Sequence, residues 1–216
     1  MNGKMRFIGI ILALLLSITS VFSSIYFLGL DENYINAKLK HLGVNKIVPN
    51  FRELNNNVVL YLKGKSQVLT KEFTEREVKH LSDVKHLFLV LKILVTLFFM
   101  MFLAISYFVL EKIKGKESLK FFAKVLLHGG ICTLVFSLLA FFLMSFSFEN
   151  SFDSFHRIFF EQGTYLFDPS TEMLTRLYPQ ELFQSLAMRI SIGITSLCIV
   201  WIFMSHIINS KAKNIK

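Results

Sequence analysis

Histidines and carboxylates able to do acid–base chemistry lie in two parts of the chain. His80, Asp83 and His86 follow one another at steps of three residues in a segment with a helical pattern. At about 100° per residue, neighbouring members of this set lie about 60° apart on a helix, so Asp83 is expected to orient the His80 ring and fix its tautomer. His156 lies in a second segment, among phenylalanines. A neutral imidazole is a suitable general base near neutral pH, so these residues predict proton-transfer chemistry.

The second segment, residues 154–183, mixes aromatic, basic and acidic side chains between two long apolar runs. A simple connector between membrane helices does not need that mixture. The phenylalanines around His156 have a spacing that suits an amphipathic helix lying in a membrane interface. Asp168-Pro169-Ser170 predicts a break followed by a new helix cap. The segment therefore has the composition of a site at a membrane surface, where apolar rings contact lipid and polar groups do chemistry.

The elements that must position these residues are membrane helices. Four apolar runs are each long enough to cross a hydrocarbon core of about 30 Å, which needs roughly 20 helical residues. They predict an all-α polytopic membrane protein, a four-transmembrane-helix bundle with two extracytoplasmic loop segments. The predicted transmembrane helices lie at 1–30, 87–110, 121–148 and 186–208. Between and after them lie an extracytoplasmic segment at 31–86, a cytoplasmic loop at 111–120, an extracytoplasmic catalytic loop at 149–185 and a cytoplasmic tail at 209–216.

The distribution of charge predicts the orientation in the membrane. Segments 1–6, 111–120 and 209–216 carry nine Lys or Arg against two Glu, whereas segments 31–86 and 149–185 carry twelve Lys or Arg against thirteen Asp or Glu. Because Lys and Arg favour the cytoplasmic side, both termini are predicted to be cytoplasmic and the histidine-bearing segments extracytoplasmic. This topology accounts for most of the net charge of +9 and leaves no broad basic face for a nucleic acid.

Local patterns organise the first extracytoplasmic segment. Residues 31–42 predict a helix that ends at Gly43, and Asn55-Asn56-Asn57 predicts a turn. Residues 58–62 predict either a short strand or a turn of interfacial helix. Thr70 is expected to cap a helix that reaches residue 88 and continues into the second span. That arrangement would carry the His80–Asp83 pair at the outer membrane surface.

Three blocks of the sequence resemble the lipoprotein intramolecular transacylases, a family of small bacterial four-helix integral membrane proteins. The first block comprises Phe155, His156, Phe159, Gly163, Phe167, Asp168, Pro169, Leu177, Tyr178 and Pro179. The second is residues 77–85, and a looser third is residues 58–64. In length and helix layout the resemblance covers nearly the whole chain.

The resemblance implies an acyltransferase whose partners are a diacylated lipoprotein substrate and membrane lipids. In this family, one ester-linked acyl chain moves from the diacylglyceryl glycerol to the α-amine of the N-terminal cysteine, which gives a lyso-form lipoprotein. An amide is more stable than an ester, so the reaction needs no nucleotide, and no cofactor is expected. The sequence leaves open the acyl-chain preference and the oligomeric state.

The resemblance also implies a set of site residues. His80, His156 and Asp83 are expected to be catalytic, and the sequence leaves open which histidine is the base and which supports the oxyanion. Supporting or substrate-binding roles are expected for Arg157, Asp168, Arg176, Tyr178, Glu77 and Tyr61. Simpler roles stay open for three of these six: Asp168 as a helix cap, Tyr178 as an interfacial anchor, and Glu77 as a partner of the helix dipole.

Two other functions remain open at this point. The first is a non-catalytic membrane protein that binds lipid or assists assembly, which separate alanine substitutions of His80 and His156 would distinguish from an enzyme. The second is a metal-dependent membrane hydrolase, because His80, Asp83, His86 and His156 are suitable ligand types. However, His80 and His86 lie about 120° apart on a helix, so one ion cannot easily bind both, and no metal site is predicted.

Overall fold

The structure is a computed structural model that describes residues 3–66, 71–161, 163 and 165–215, with the side chains of all of these except 143–146. Within these residues the chain forms eight α-helices and no strand, which confirms the all-α fold class. The helices are α1 (Gly3–Gly29), α2 (Glu32–His41), α3 (Phe51–Leu62), α4 (Glu75–Lys112), α5 (Gly115–Phe146), α6 (Phe148–Phe159), α7 (Met173–Leu177) and α8 (Gln180–Asn214). One 3₁₀ turn, Val44–Lys46, precedes α3.

Four of the helices are long and apolar enough to cross a membrane, namely α1, α4, α5 and α8, which confirms the expected number of spans. The chain divides into two compact units. Residues 1–25, 93–141 and 190–216 form one, here called the span unit, and residues 26–92 and 142–189 form the other, the loop unit. Each is described by itself below.

Glycines set how closely the helices of the span unit pack. A Cβ atom on Gly129 of α5 would lie 2.8 Å from the side chain of Leu16 and 3.2 Å from the backbone oxygen of Ala13 in α1. A Cβ atom on Gly130 would lie 2.9 Å from the side chain of Ile202 in α8. Real Cβ atoms essentially never make contacts shorter than 3.0 Å, so the missing Cβ atoms allow α5 to approach both neighbours.

Buried hydroxyl groups in the span unit bond largely to helix carbonyls. Ser20 donates to the carbonyl of Leu16 at 2.7 Å, and Thr133 donates to the carbonyl of Gly129 at 2.8 Å. The indole nitrogen of Trp201 in turn donates to the Ser20 hydroxyl at 3.0 Å. These short side chains satisfy their own polar atoms without separating the helices.

The loop unit has its own hydrophobic core, to which α2, α3, α7 and the first turns of α4 and α8 contribute. Its members include Leu39, Leu54, Val58, Val59, Leu81, Leu177 and Leu182. The first helix of this unit, α2, follows Asp31, whose carboxylate accepts hydrogen bonds from the backbone of Asn33 and Tyr34. The chain then turns at Gly43 with a φ of 77°, so the predicted end of this helix is confirmed.

The turn predicted at residues 55–57 is wrong, because α3 runs through all three asparagines and through residues 58–62. Asn55 is fully buried, donates to the side chain of Asn36 at 3.0 Å and accepts from the hydroxyl of Tyr178 at 3.0 Å. The side-chain oxygen of Asn56 accepts from the side-chain nitrogen of Asn36 at 2.8 Å. Since other segments satisfy these amides, they do not compete with the helix backbone as asparagines usually do.

The helix that carries His80 begins at Glu75, later than predicted, and Thr70 lies outside the described residues. Thr74 and Glu77 fix this start. The Thr74 hydroxyl accepts from the backbone of Glu77 at 3.3 Å, and the Glu77 carboxylate accepts from the backbone of Thr74 at 2.7 Å. This reciprocal pair satisfies two backbone donors that the first turn of a helix leaves without partners.

Candidate active site

The opening turns of α4 and the last turn of α6 bring His80 and His156 together in the loop unit. Their ring centroids lie 6.0 Å apart, and the ring planes differ by only 19°. His80 is 9 % exposed, and His156 is half-buried. The α6 helix begins at Ser147, whose hydroxyl accepts from the backbone of Asn150 at 3.4 Å. Two histidines that lie far apart in the sequence therefore share one site.

Phenylalanine rings enclose the two imidazoles. The ring centroid of Phe160 lies 4.7 Å from that of His80 and 5.3 Å from that of His156, so this ring contacts both histidines. The ring of Phe167 lies 5.4 Å from His80 and nearly perpendicular to it. An apolar enclosure of this kind lowers the local dielectric, which strengthens the electrostatic interactions inside it.

A backbone hydrogen bond fixes the tautomer of His156. Its Nδ1 lies 2.8 Å from the carbonyl oxygen of Phe152. Since a carbonyl can only accept, Nδ1 carries the hydrogen, and in the neutral ring Nε2 keeps a free lone pair. Burial lowers the pKa of His156, and the Phe152 bond and the charge of Asp153 offset part of this effect. His156 is therefore neutral near neutral pH, with Nε2 available as a base.

His80 lacks the expected contact with Asp83. Its Nδ1 is buried and has no hydrogen-bond partner among the described residues. Asp83 instead lines a cleft beside the histidines, together with His86 and Phe160. The two residues lie on adjacent faces of α4, as the spacing requires, but the His80 ring packs against the phenylalanines. The structure therefore does not bear out a carboxylate that fixes the tautomer of His80.

A bidentate ion pair holds Phe167 against the histidine site. The guanidinium of Arg76 lies 2.7 Å from both carboxylate oxygens of Glu172, and Glu172 also accepts from the backbone of Asp168 at 2.7 Å. The Arg76 guanidinium lies over the Phe167 ring, 5.1 Å from its centroid. The sequence analysis did not identify Arg76, because 96 residues separate it from Glu172 and no local pattern links them.

Asp168 shapes a turn and does not cap a helix. Its carboxylate accepts from both the backbone nitrogen and the hydroxyl of Ser170, at 2.8 Å and 2.7 Å. These hydrogen bonds lower the pKa of Asp168. The next helix, α7, begins only at Met173. Asp168 thus positions the segment that follows Phe167.

Glu77 is fully buried and links two segments of the loop unit. One carboxylate oxygen accepts from the backbone of Leu174 at 2.6 Å, and the other accepts from the backbone of Thr74 at 2.7 Å. Leu174 lies in the first turn of α7, where backbone donors have no partner inside the helix. Glu77 therefore stabilises the starts of α4 and α7 at once.

The two tyrosines expected at the site lie in the core of the loop unit. Tyr178 donates to Asn55, and burial raises the pKa of Tyr178, so its hydroxyl keeps the proton. Tyr61 is 9 % exposed, and the ammonium of Lys85 lies 4.2 Å from its ring centroid. In the described part of the chain, neither tyrosine makes a ring contact or hydrogen bond with His80 or His156.

Neither of the two arginines expected in a supporting or substrate-binding role makes a hydrogen bond with His80 or His156 in the described part of the chain. Arg157 forms an ion pair with Asp153, one turn earlier on α6, and its side chain is exposed. Arg176 is half-buried on α7 and has no hydrogen bond or ion pair with any residue that the structure describes.

The third histidine considered in the sequence, His86, is exposed and lies six residues beyond His80, about one and two-thirds helical turns. The described residues contain no group of three or more His, Cys, Asp or Glu side chains that could hold a metal ion.

Comparisons with known proteins agree on one family. Residues 4–183 match the family described as lipoprotein intramolecular transacylase Lit. No curated protein sequence matches the chain.

Among solved structures, the chain is similar to the membrane-integral lipoprotein intramolecular transacylase Lit from Bacillus cereus, solved in meso. The TM-score is 0.87 at 17 % sequence identity, and the alignment covers 100 % of each chain. Two variants of that protein, in which one histidine is replaced by arginine or by alanine, match with TM-scores of 0.81 and 0.82 at 18 % identity. Those alignments cover 98 % of this chain and 94 % and 96 % of the variants.

The structural likeness establishes a common fold, and the family match extends over most of the sequence. Acyl transfer, one of the functions considered for the sequence, is the activity of this family. This chain belongs to the lipoprotein intramolecular transacylase family and is a membrane-integral acyltransferase.

Proposed function

We propose that His156 is the general base for the acyl transfer and that His80 supports the developing oxyanion. The observation that carries this assignment is the hydrogen bond from His156 Nδ1 to the carbonyl of Phe152. It leaves Nε2 as the nitrogen that accepts a proton, and it holds the ring in one orientation. The acyl chain moves from the glycerol oxygen of the diacylglyceryl group to the α-amine of the N-terminal cysteine in the same lipoprotein.

The reaction requires the neutral amine. Its pKa is near 8, so roughly a tenth is unprotonated at pH 7. The amine nitrogen attacks the ester carbonyl carbon and forms the new carbon–nitrogen bond. His156 Nε2 then takes a proton from that nitrogen and delivers it to the glycerol oxygen as the carbon–oxygen bond breaks. The products are an amide and a free glycerol hydroxyl, and His156 returns to its neutral form.

His80 is suited to stabilise charge on the ester oxygen. Its ring centroid lies 6.0 Å from that of His156, and its ring is almost fully buried among phenylalanines. A ring N–H placed in such an enclosure donates to an oxyanion without first giving up a hydrogen bond to water. The buried Nδ1 without a partner fits a ring whose polar interactions are completed by substrate.

The topology completes the proposal. Both termini lie in the cytoplasm, and the loop unit faces the extracytoplasmic side, where lipoproteins carry their diacylglyceryl groups. The distribution of Lys and Arg supports this orientation. One cysteine introduced at Glu53 or at Lys116, in a protein whose native Cys132 and Cys198 are replaced by alanine, tests it: a membrane-impermeant maleimide should label the Glu53→Cys variant in intact cells and the Lys116→Cys variant only after lysis. The reverse pattern would contradict the proposed orientation.

Mass spectrometry of a lipoprotein N-terminal peptide tests the chemistry. In a bacterial host whose lipoproteins have diacylglyceryl groups and free amines, the wild type should give a peptide of unchanged mass with one acyl chain on nitrogen. His156→Ala should slow this transfer about 10²–10⁴-fold, the usual contribution of a positioned base. His41→Ala is the matched control, since His41 is an exposed histidine of the loop unit away from the pair. Full transfer by the folded His156→Ala variant would refute the proposal.

A further inference from the structure

A cleft of about 220 Å³ lies beside the histidine pair in the loop unit. Its walls are Lys79, Asp83, His86, Leu87, Phe159, Phe160 and Glu161. Phe160 joins this cleft to the proposed catalytic site, because the same ring contacts both His80 and His156. The cleft therefore adjoins the place where an amine has to meet an ester.

The charged groups of the cleft leave one anion uncompensated. Lys79 and Glu161 form an ion pair at 3.2 Å, and both side chains are exposed at the rim. His86 is also exposed. Asp83 is half-buried and has no ion pair or hydrogen bond with the described residues. A carboxylate next to the apolar walls of Leu87 and the two phenylalanines is a suitable site for a small cation.

We propose that this cleft binds a primary ammonium group through Asp83, and that the group is the α-ammonium of the substrate's N-terminal cysteine. Most of this amine is protonated at neutral pH, so an ammonium is the form that first encounters the enzyme. Phe159 and Phe160 add aromatic faces that attract a cation. The inference rests on the proposed function, because it assigns a binding site to the nucleophile of that reaction.

Asp83 is a positioning residue in this scheme and takes no proton. A carboxylate stabilises the charged form of the amine, so the amine must leave Asp83 and release one proton to water before it attacks. Binding energy at the cleft thus contributes to substrate capture and local concentration, and less to the chemical step. Asp83→Asn should accordingly raise KM about tenfold, the order expected for a lost hydrogen bond to a charged group, and change kcat by less.

A binding experiment isolates the ammonium contact. The ligand is a short lipopeptide in which ether bonds replace the two esters, so that it cannot react, prepared with either a free or an acetylated α-amine. Isothermal titration of the full-length protein in detergent micelles should show the free-amine ligand binding about tenfold more tightly than the acetylated one. Asp83→Asn should reduce this ratio to near one, and Asp83→Glu should keep part of it. Glu75→Gln removes an exposed carboxylate elsewhere on α4 and should leave the ratio unchanged.

An aminophospholipid headgroup offers the same chemistry, so a second titration compares glycerophosphoethanolamine with glycerophosphocholine. If Asp83→Asn changes only the binding of glycerophosphoethanolamine, the cleft binds a lipid headgroup and the assignment to the substrate amine is overturned. If Asp83→Asn changes the relative affinities neither of the two lipopeptides nor of the two glycerophospho compounds, the ammonium site itself is overturned.

The same assays separate this inference from the catalytic proposal. His156 does not line the cleft, so His156→Ala should keep the preference for the free amine while losing acyl transfer. Retained transfer by His156→Ala, together with a preference that depends on Asp83, would refute the catalytic assignment and leave the cleft assignment intact. Loss of transfer by His156→Ala, together with a preference for the free amine that does not depend on Asp83, would support the catalytic assignment and refute the cleft assignment.

Discussion

The span unit and the loop unit satisfy their buried polar groups in different ways. In the span unit the buried polar residues are serines and threonines, and several of their hydroxyls donate to helix carbonyls, in the same helix for Thr133 and in a neighbouring helix for Ser205. In the loop unit they include Glu77, Asn55 and Glu172, whose side chains bond to segments far away in the sequence.

This difference determines what each unit tolerates. A hydroxyl that bonds to a helix carbonyl adds to a carbonyl that already accepts from the helix backbone, so its loss leaves little unsatisfied. A carboxylate that accepts from the start of another helix is the partner of an otherwise orphan donor. The loop unit should therefore be sensitive to the loss of single polar groups, and the span unit to the addition of volume.

The largest stability effect is expected from Glu77→Ala in the loop unit. It leaves the backbone nitrogen of Leu174 without its acceptor and removes half of the reciprocal cap at Thr74. An unsatisfied buried donor and a lost cap together cost about 2–4 kcal/mol. Thermal unfolding in detergent should show the loss, with a smaller one for Glu77→Gln, which keeps one acceptor oxygen. Glu75→Gln, two residues away and exposed, is the control. Equal destabilisation by Glu77→Ala and Glu75→Gln would contradict the expected sensitivity of the loop unit to the loss of a buried polar group.

The span unit should respond most to added volume at its glycines. In Gly130→Ala the new methyl group would lie 2.9 Å from Ile202 and 3.2 Å from the carbonyl of Cys198, so α5 and α8 must separate slightly. Overpacking of this kind costs about 1–3 kcal/mol. Gly9→Ala is the matched control, because its nearest atom would be 3.4 Å away on the Phe121 ring. A thermal unfolding scan in which Gly9→Ala is less stable than Gly130→Ala would contradict this explanation.

Loss of a hydroxyl in the span unit should cost less than either change. Thr133→Val keeps the shape of a fully buried side chain and removes only the bond to the Gly129 carbonyl. The expected loss is about 1 kcal/mol or less. The same thermal unfolding assay measures it. A cost as large as that of Glu77→Ala would mean that the two units do not differ in the way described.

The sequence predicted the features that depend on local periodicity and composition. Long apolar runs predicted the four spans, and Gly43 marked the end of α2. The predicted start of α4 after Thr70 was wrong, although Thr74-Glu75-Arg76-Glu77 fits the capping-box pattern better than Thr70 does. The side of the membrane on which the histidines lie stays a prediction, and the structure places the ring centroids of His80 and His156 6.0 Å apart.

What the sequence did not predict depends on contacts between distant segments. Helical spacing places Asp83 near His80, but the phenylalanines that attract the His80 ring come from residues 160 and 167. Asn55 looked like a turn residue because its partners, Asn36 and Tyr178, lie 19 and 123 residues away. No local pattern carries that information, since such pairs form only after the loop unit has folded.

The smallest expected effect concerns charge near His156. Asp153 raises the pKa of His156, so Asp153→Asn should lower it further, and the Arg157 cation left without this partner acts in the same direction. His156 would then remain neutral, and able to accept a proton, at a lower pH than in the wild type. Titration of the His156 ring carbon by NMR, with the full-length protein in micelles, measures the midpoint directly and avoids interference from the amine of the substrate. Glu149→Gln, on the first turn of the same helix, should leave the midpoint in place. A midpoint that does not move in Asp153→Asn would show that burial and the Phe152 bond alone determine the state of this base, and a midpoint that rises would contradict the assigned sign of the Asp153 effect.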